Sequence, residues 1–158
     1  MVVNLKMLQI DAKISPFYTK WSLLEYIHSK WGLGANDDLL SADINAELQQ
    51  LRGIYVRTTH KTINDVFRIR SVSIVGANQI TFDVYGARTN VADYFRTRYN
   101  RDLNFPHFPC VIKGPDDKQE FFPLEVLMIE KGQKFPKTKM NSKQVFIILV
   151  SFSNTCFF

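Results

Sequence analysis

Residues 89–125 hold the feature that most constrains the fold, because aromatic, basic and proline residues are denser there than elsewhere in the chain. The stretch begins with a helical pattern, passes through Pro106 and Pro109, which hold the backbone extended around His107, and ends in strand-like residues. A helix that presents tyrosine hydroxyls beside arginines can cradle a phosphate, and neighbouring phenylalanines can stack on a base. The stretch therefore favours a protein that holds the end of a single nucleic-acid strand.

The helix in this stretch is predicted over residues 91–99. Asn90 begins a weak capping box at its start. Tyr94 and Arg98 are four residues apart and share a face, and Tyr99 lies near the edge of that face. From these residues alone, a half-buried amphipathic helix without a ligand is the more common explanation of the pattern.

The first fifty residues have a different pattern from the rest. Residues 1–15 alternate between apolar and polar side chains and predict a strand. Ser15-Pro16 then predicts a helix start, and Gly32 predicts its end. Ser41 predicts the cap of a second helix that stops at Gly53. This part is interpreted as a helical linker that leads into a domain.

From Ile54 onward the pattern changes to short strands separated by turns, with Gly86-Ala-Arg88 interpreted as one of the turns. The second of these runs does not alternate strictly, which indicates either a bend or burial on both faces. Several short strands around one short helix predict a mixed, mainly β fold, a small barrel with an inserted hairpin and helix. The predicted strands are Ile54–Thr59, Val66–Val75, Ile80–Tyr85, Cys110–Ile112, Gln119–Phe122 and Leu124–Met128.

The charge and cysteine content restrict the partner and the compartment. A net charge of +5 favours polyanions without identifying one. Two cysteines form no disulfide framework, and no apolar leader follows Met1, so we expect the cytoplasm, with the nucleus as an alternative. The longest apolar run, Val145–Val150, is far shorter than the roughly 20 residues of a membrane helix, so no membrane partner is expected.

Catalytic and metal-binding patterns are not found in the sequence. There is no glycine-rich phosphate loop, no serine elbow and no metal-ligand spacing of cysteine and histidine. Asp37-Asp38 and Asp116-Asp117 are most simply interpreted as solvated turns. We therefore predict neither an enzyme nor a cofactor.

The residues alone leave the binding roles of three aromatic side chains open. Phe82 and Phe122 are more commonly core residues of a barrel than stacking platforms. His60 follows a predicted strand, where a histidine is more often a surface residue than a ligand.

Several ordered segments together resemble the PAZ domain of Argonaute proteins. The resemblance is closest around Phe105–Cys110 and Phe122–Val126, and it covers roughly residues 5–140. The N-terminal part resembles the linker that precedes PAZ in Argonautes. The segments that carry the resemblance are Met7–Asp11, Ser15–Tyr18, Leu51–Gly53, Thr59-His60, Thr81-Phe82, Val91–Phe95, Arg98–Asn100, Phe105–Cys110, Phe122–Val126 and Gly132-Gln133.

The resemblance implies a domain organisation. Residues 1–50 correspond to the linker, residues 51–135 to the PAZ domain, and residues 136–158 to the start of the following linker and an atypical apolar tail. The implied fold is an OB-like barrel with an inserted hairpin–helix module. Because the resemblance fades near the end of the chain, we expect a truncated or alternatively spliced Argonaute.

The resemblance also implies a function, which is to anchor the 3′ end of a single-stranded small guide RNA in RNA silencing. The alternative is a regulatory or interaction fragment of an Argonaute that does not bind RNA but contacts other silencing-complex proteins. The two tyrosines and the arginine of the helix, with the histidine, would contact the terminal phosphodiester, and Phe82 would stack on the terminal nucleotide. The expected RNA-binding residues are His60, Phe67, Phe82, Tyr94, Arg98, Tyr99, Phe121 and Phe122.

Departures from the family pattern lower the expected affinity. Phe67 stands where the family usually has a tyrosine, so one phosphate-binding hydroxyl is missing. Asp65 or a neighbour replaces a basic residue, Arg98 stands in place of a frequent lysine, and Phe122 in place of leucine. Since phosphate contacts set affinity and its salt dependence, we predict weaker RNA binding than that of a typical PAZ domain.

Overall fold

A computed structural model describes residues 15–63 and 65–135 of the protein. The chain divides into two compact units, Met1–Tyr18 with Lys134–Phe158, and Thr19–Gln133. The first fourteen residues of the predicted N-terminal strand, and the apolar tail, lie outside the described residues. The second unit contains the helices and strands on which the functional site depends.

In the first unit, the described residues form a small antiparallel contact. Phe17 and Lys134 make an isolated β-bridge. The amide of Phe135 donates a hydrogen bond of 2.9 Å to the carbonyl of Pro16, and its ring lies 4.8 Å from the ring of Tyr18. The two chain segments that flank the second unit are therefore joined to each other.

The second unit alternates short strands with three α-helices among its described residues. Two turns of 3₁₀-helix, Gln49–Leu51 and Leu124–Val126, complete its regular structure. The elements in chain order are α1 (Leu23–Trp31), α2 (Ala42–Leu48), β1 (Tyr55–Thr58), β2 (Val66–Arg68), β3 (Ser71–Gly76), β4 (Thr81–Val84), β5 (Ala87–Asn90), α3 (Val91–Tyr99), β6 (Pro109–Lys113), β7 (Glu120–Pro123) and β8 (Leu127–Ile129).

Helix α1 begins seven residues later than the sequence predicts, since its first residue is 23 and not 16. Ser22 and Glu25 form a reciprocal capping box, in which each side chain accepts a hydrogen bond from the backbone of the other. This box is a stronger start signal than Ser15-Pro16, which stays non-helical. The predicted end at Gly32 is confirmed, and its φ of 74° is a left-handed conformation that suits glycine.

Helix α2 starts directly after Ser41, as predicted, and passes into a 3₁₀ turn that ends at Leu51, two residues before the positive-φ Gly53. Asn45 is buried on this helix and donates a hydrogen bond of 2.8 Å to the carbonyl of Ser73 in β3. A buried amide needs such a partner, because an unpaired one costs about 1–3 kcal/mol. The helical part of the unit is thus anchored on the strands.

The strands form three antiparallel sheets, with orders β2-β1-β8, β3-β6-β7 and β4-β5. The chain passes from the first sheet to the second between β2 and β3. The amide of Ile69 donates to the carbonyl of Ile54, and the next amide, of Arg70, donates to the carbonyl of Ile112. This change of partner is the bend that was predicted within residues 66–75.

The chain returns to the first sheet after β7. Pro123 ends β7, the turn Leu124–Val126 follows, and β8 then pairs with β1. The predicted strand over residues 124–128 is therefore wrong for its first three residues, which form a 3₁₀ turn, and right for the last two. The core between the two sheets is almost wholly apolar. Its most buried members include Ile54, Val56, Ile69, Val111, Leu124, Val126, Leu127 and Ile129.

The β4–β5 hairpin and α3 are inserted between β3 and β6, which pair directly with each other. Strand β5 was predicted as a turn, whereas the actual turn is tighter, at Tyr85 and Gly86 with φ of 51° and 85°. The bounds of α3 are confirmed, and the Asn90 side chain accepts a hydrogen bond of 2.8 Å from the amide of Asp93. We call β4, β5 and α3 the inserted module.

The base of the inserted module is narrow. Ala77 donates a backbone hydrogen bond of 3.0 Å to Phe108, where the two connecting segments meet. At Gly76 an added Cβ would lie 2.6 Å from the carbonyl oxygen of His107, so only glycine permits this approach. The expectation of a strand-rich mixed fold with an inserted hairpin and helix is confirmed.

Candidate nucleic-acid interface

A cavity of about 330 Å³ lies where the inserted module faces β7 and the end of β1. Its size is at the lower end of the ~300–1,000 Å³ that is typical of ligand sites. Its lining is mainly aromatic. The lining residues are His60, Lys61, Phe82, Val91, Tyr94, Phe95, Tyr99, Gln119, Glu120, Phe121 and Phe122.

His60 is at the centre of an aromatic cluster on one side of this cavity. Its ring centroid lies 4.6 Å from that of Tyr99, 4.9 Å from Phe95 and 6.0 Å from Phe122. Both ring nitrogens are buried, and neither has a hydrogen-bond partner within the described part of the chain. Ring contacts therefore hold the imidazole in place, and its buried nitrogens are not used by the residues that the structure describes.

The surroundings of His60 favour the neutral imidazole. Burial, with smaller contributions from the charges of Lys61 and Arg101, lowers its pKa from 6.5 to about 4. A neutral imidazole has one N–H donor and one acceptor nitrogen. At neutral pH His60 can thus donate a hydrogen bond to a phosphate oxygen without contributing a charge.

Helix α3 provides two phenols at the same cavity. Tyr94 contacts Phe82 edge to face at 5.3 Å, and the rings of Tyr94 and Tyr99 are 5.9 Å apart. Burial, together with the neighbouring phenol of Tyr94, raises the pKa of Tyr99. The Tyr99 phenol therefore stays protonated at neutral pH, and both tyrosines carry a hydroxyl that can donate a hydrogen bond.

Six of the eight RNA-binding residues that were expected from the sequence line the cavity, and Arg98 and Phe67 do not. Arg98 is exposed on α3, and its charge acts on Tyr99. Phe67 is buried, and its ring lies 4.8 Å from that of Phe122. It therefore supports the wall of the cavity from behind.

Lys113 lies near Phe67 and Phe122, where it forms ion pairs with two carboxylates and lies over two aromatic rings. Its Nζ lies 2.5 Å from Asp65 Oδ2 and 3.3 Å from Glu120 Oε1. It also lies 5.3 Å from the ring centroid of Phe67 and 5.9 Å from that of Phe122. Burial would lower the pKa of Lys113, but both carboxylates outweigh it and raise that pKa. The lysine charge is thus engaged within the protein.

Five lining residues were not predicted. Val91 and Phe95 are buried parts of α3, and helical spacing indicated only that Phe95 belongs to the core. Lys61 follows His60 directly, so a basic residue beside the histidine was a usable signal. Gln119 and Glu120 carried no signal, since their place depends on the pairing of β6 with β7.

Within residues 15–63 and 65–135, no group of three or more histidine, cysteine or acidic side chains is placed to hold a metal ion. Across those residues, no helix has both the length and the apolar character of a membrane span.

Comparison with known proteins identifies the family. The model of the PAZ domain family matches residues 36–149, which is more than half of the chain. The chain belongs to the PAZ domain family. Its strand-rich fold, with a hairpin and a helix inserted between paired strands, is the PAZ fold.

The similar proteins include Argonautes, as the resemblance implied. Protein argonaute 14 of Oryza sativa subsp. japonica is 30% identical over 145 residues, which are 87% of this chain and 14% of that protein. The Drosophila Ago-PAZ domain in complex with 3′-end 2′-O-methylated RNA superposes with a TM-score of 0.65 at 28% identity, over 71% of this chain and 99% of that one.

A second solved structure gives a similar match. It is described as the structural basis for 3′ end recognition of nucleic acids by the Drosophila Argonaute 2 PAZ domain. It superposes with a TM-score of 0.61 at 28% identity, over 71% of this chain and 95% of the other. This PAZ chain spans about a seventh of the length of the curated relatives it matches.

Proposed function

We propose that this PAZ domain anchors the 3′ end of a single-stranded small RNA and acts as a binding module without catalysis. The observation that carries the proposal is the cavity at His60. There an imidazole that has no hydrogen-bond partner among residues 15–63 and 65–135 meets two phenols among aromatic rings. Two similar structures are Argonaute PAZ domains, one in complex with 3′-end-modified RNA and one described for 3′ end recognition.

The polar atoms of the cavity suit a phosphodiester. Tyr94, Tyr99 and the neutral His60 can each donate one hydrogen bond, and Lys61 and Arg98 add positive charge nearby. A hydrogen bond to a charged group contributes about 1.5–3 kcal/mol, roughly twice the value for two neutral groups. Three donors around one phosphate are enough for specific binding of a strand end.

The aromatic residues of the cavity suit a base and a ribose. Phe82 lies on β4 and is half-buried, and its ring meets Tyr94 edge to face, which leaves a ring face for a stacked base. Such a stack contributes about 1–3 kcal/mol without selecting a particular base. Phe121 and Phe122 form the opposite wall. The proposal therefore includes recognition of a strand end with little sequence preference.

The expectation of weaker binding than a typical PAZ domain is retained in this proposal. Phe67 has no hydroxyl and does not line the cavity, and the Lys113 charge is engaged by Asp65 and Glu120. Fewer phosphate contacts give a lower affinity and a smaller dependence on salt. The same observations favour a second candidate function, a silencing-pathway fragment that contacts other proteins and does not bind RNA.

Equilibrium binding of a short single-stranded RNA tests the proposal. The RNA is compared with the same strand blocked at its 3′ end, for the native protein and for the Tyr94→Phe/Tyr99→Phe double variant. We expect the free end to bind better, and the double variant to lose roughly tenfold or more in affinity, because it lacks two donors to phosphate.

The matched control is Tyr55→Phe/Tyr85→Phe, which removes two phenols that are exposed outside the cavity. It should bind like the native protein. Binding that is absent, or indifferent to the 3′ end, would reject RNA anchoring and leave the second candidate function. An equal loss in both double variants would show that the cavity phenols have no special role.

A further inference from the structure

The β7 strand brings an acidic side chain to the proposed RNA cavity. Side chains two residues apart on a strand point to the same face, so Glu120 faces the same way as Phe122. The ring of Phe122 lies 6.0 Å from that of His60, and both residues line the cavity. Glu120 is likewise a lining residue, and its side chain is half exposed.

The charge of Glu120 acts on Tyr99, one of the polar groups of the cavity. Burial is the main cause that raises the pKa of Tyr99, and the carboxylate of Glu120 acts in the same direction. The phenol that is proposed to donate to phosphate is therefore within electrostatic reach of this carboxylate. A ligand atom beside Tyr99 is therefore also exposed to the negative electrostatic potential of the Glu120 carboxylate.

The nearby lysine does not cancel this negative charge. Lys113 lies directly opposite Glu120 in the β6–β7 ladder, with Nζ 3.3 Å from Oε1. The same Nζ lies closer to Asp65, at 2.5 Å. One ammonium group thus serves two carboxylates, so the group of Asp65, Lys113 and Glu120 has a net charge of −1, and Lys61 is the basic residue that lines the cavity with it.

We propose that Glu120 is a specificity-determining residue that favours an RNA with an uncharged 3′-terminal ribose diol over one with a 3′-terminal phosphate. This inference rests on the proposed function. A carboxylate accepts hydrogen bonds from hydroxyl groups. A terminal phosphate brings roughly 1.5–2 additional negative charges at neutral pH, so it is repelled by the same carboxylate. The hydrogen-bond donors of the cavity then serve the internal phosphodiester.

Two RNA strands that differ only at the terminal group test this role. Affinities for the 3′-hydroxyl and the 3′-phosphate strand are measured for the native protein and for Glu120→Gln, which keeps the shape and an acceptor oxygen. Affinity for the hydroxyl strand should fall roughly twofold, because a neutral amide oxygen accepts a weaker hydrogen bond than a carboxylate does. Affinity for the phosphate strand should rise roughly fivefold in the variant, because the repulsion is removed.

Asp117→Asn is the matched control, because it removes the same charge from the exposed β6–β7 turn outside the cavity. Its ratio of affinities should equal the native ratio. An unchanged ratio in Glu120→Gln overturns the inference and leaves 3′-end anchoring intact, as does an equal change in both variants. If the native protein binds neither strand, the proposed function itself is rejected and this inference with it.

Discussion

The cavity has two walls, one formed by α3 with His60 and the other by β7, and different interactions hold their side chains in place. On the α3 wall, ring packing fixes the side chains of Tyr94, Tyr99 and His60, and both imidazole nitrogens are left without a partner among the described residues. On the β7 wall, the charges of Glu120 and Lys113 meet each other and Asp65. Apolar packing can fix a polar side chain while its hydrogen-bond donors and acceptors remain unpaired. In an ion pair, those donors and acceptors are already used by the partner.

This difference separates affinity from selectivity. On the α3 wall the phenols of Tyr94 and Tyr99 interact with each other, and packing holds the imidazole of His60 in place. Preorganised groups of this kind lower the ordering cost of binding. The β7 wall contributes a fixed charge, which discriminates among ligands more than it attracts them. The comparison between the walls can be tested by four changes, ordered by expected size.

Removal of the ring that supports the α3 wall should have the largest effect. Phe95 is buried and contacts His60 and Tyr99 at 4.9 and 5.2 Å. Phe95→Ala should lower the free energy of unfolding by about 3–5 kcal/mol, since it leaves a cavity in the core. Urea denaturation measures this value. Tyr85→Ala at the exposed hairpin turn is the control and should change it by less than about 0.5 kcal/mol.

The pH dependence of stability should show the apolar surroundings of His60. Its pKa in the folded protein is about 4, below the unfolded value of 6.5, so the unfolded chain binds the proton more readily. Stability is therefore complete above the unfolded pKa and is lost as the pH falls towards 4. The loss should be about 1–2 kcal/mol, since solvent screening reduces the full linkage value at a partly exposed ring.

Denaturation across that pH range, for the native protein and for His60→Gln, checks this linkage. The glutamine variant should show a shallower slope, because it has no group that titrates there. Equal slopes would mean that His60 is as well solvated in the folded state as in the unfolded chain.

Removal of Lys113 should change stability mainly through the ion pairs beside the β7 wall. Lys113→Met should lower the free energy of unfolding by about 0.5–1.5 kcal/mol, because both ion pairs are partly exposed. A double-mutant cycle with Asp65→Asn isolates their coupling, which should be about 0.5–1 kcal/mol. A coupling of zero would show that the short Lys113–Asp65 contact contributes nothing to stability.

The smallest effect is expected from Asp65→Asn on RNA affinity. Without the Asp65 charge, Lys113 balances Glu120, so affinity for a 3′-hydroxyl RNA should rise roughly two- to threefold at low salt. The gain should disappear in high salt, where exposed charges are screened. A gain that persists at high salt would point to a change of shape and not of charge.

Local signals explain what the sequence could predict. Helix α3 was predicted with its observed bounds because Asn90 and the left-handed Asn100 mark its two ends. The start of α1 was wrong because Ser15-Pro16 and Ser22 are both possible starts, and the reciprocal box with Glu25 decides between them. Strand β5 was missed because its pairing with β4 depends on a two-residue turn at Tyr85, where a tyrosine takes a positive φ.

The lining of the cavity was predicted as far as its residues lie in recognisable segments. Six of the eight expected residues line one cavity. The Lys113–Asp65 pair, 48 residues apart, has no local signal, since it depends on how two sheets bring β6 to the start of β2. Phe67 was assigned from its position in the family pattern, but its side chain packs behind Phe122, as the alternation of a strand dictates.

The narrow base of the inserted module has a kinetic consequence. Strands β3 and β6 pair directly with each other, and the chain enters and leaves the inserted module near Gly76 and His107. The module can therefore detach from the rest of the protein without separating β3 from β6. We expect it to open as a single unit in native-state hydrogen exchange. Amides of α3 should exchange together and sooner than those of β6. A ligand that bridges the module and β7 should slow that exchange, so protection of α3 amides would report occupancy of the cavity without any label on the ligand.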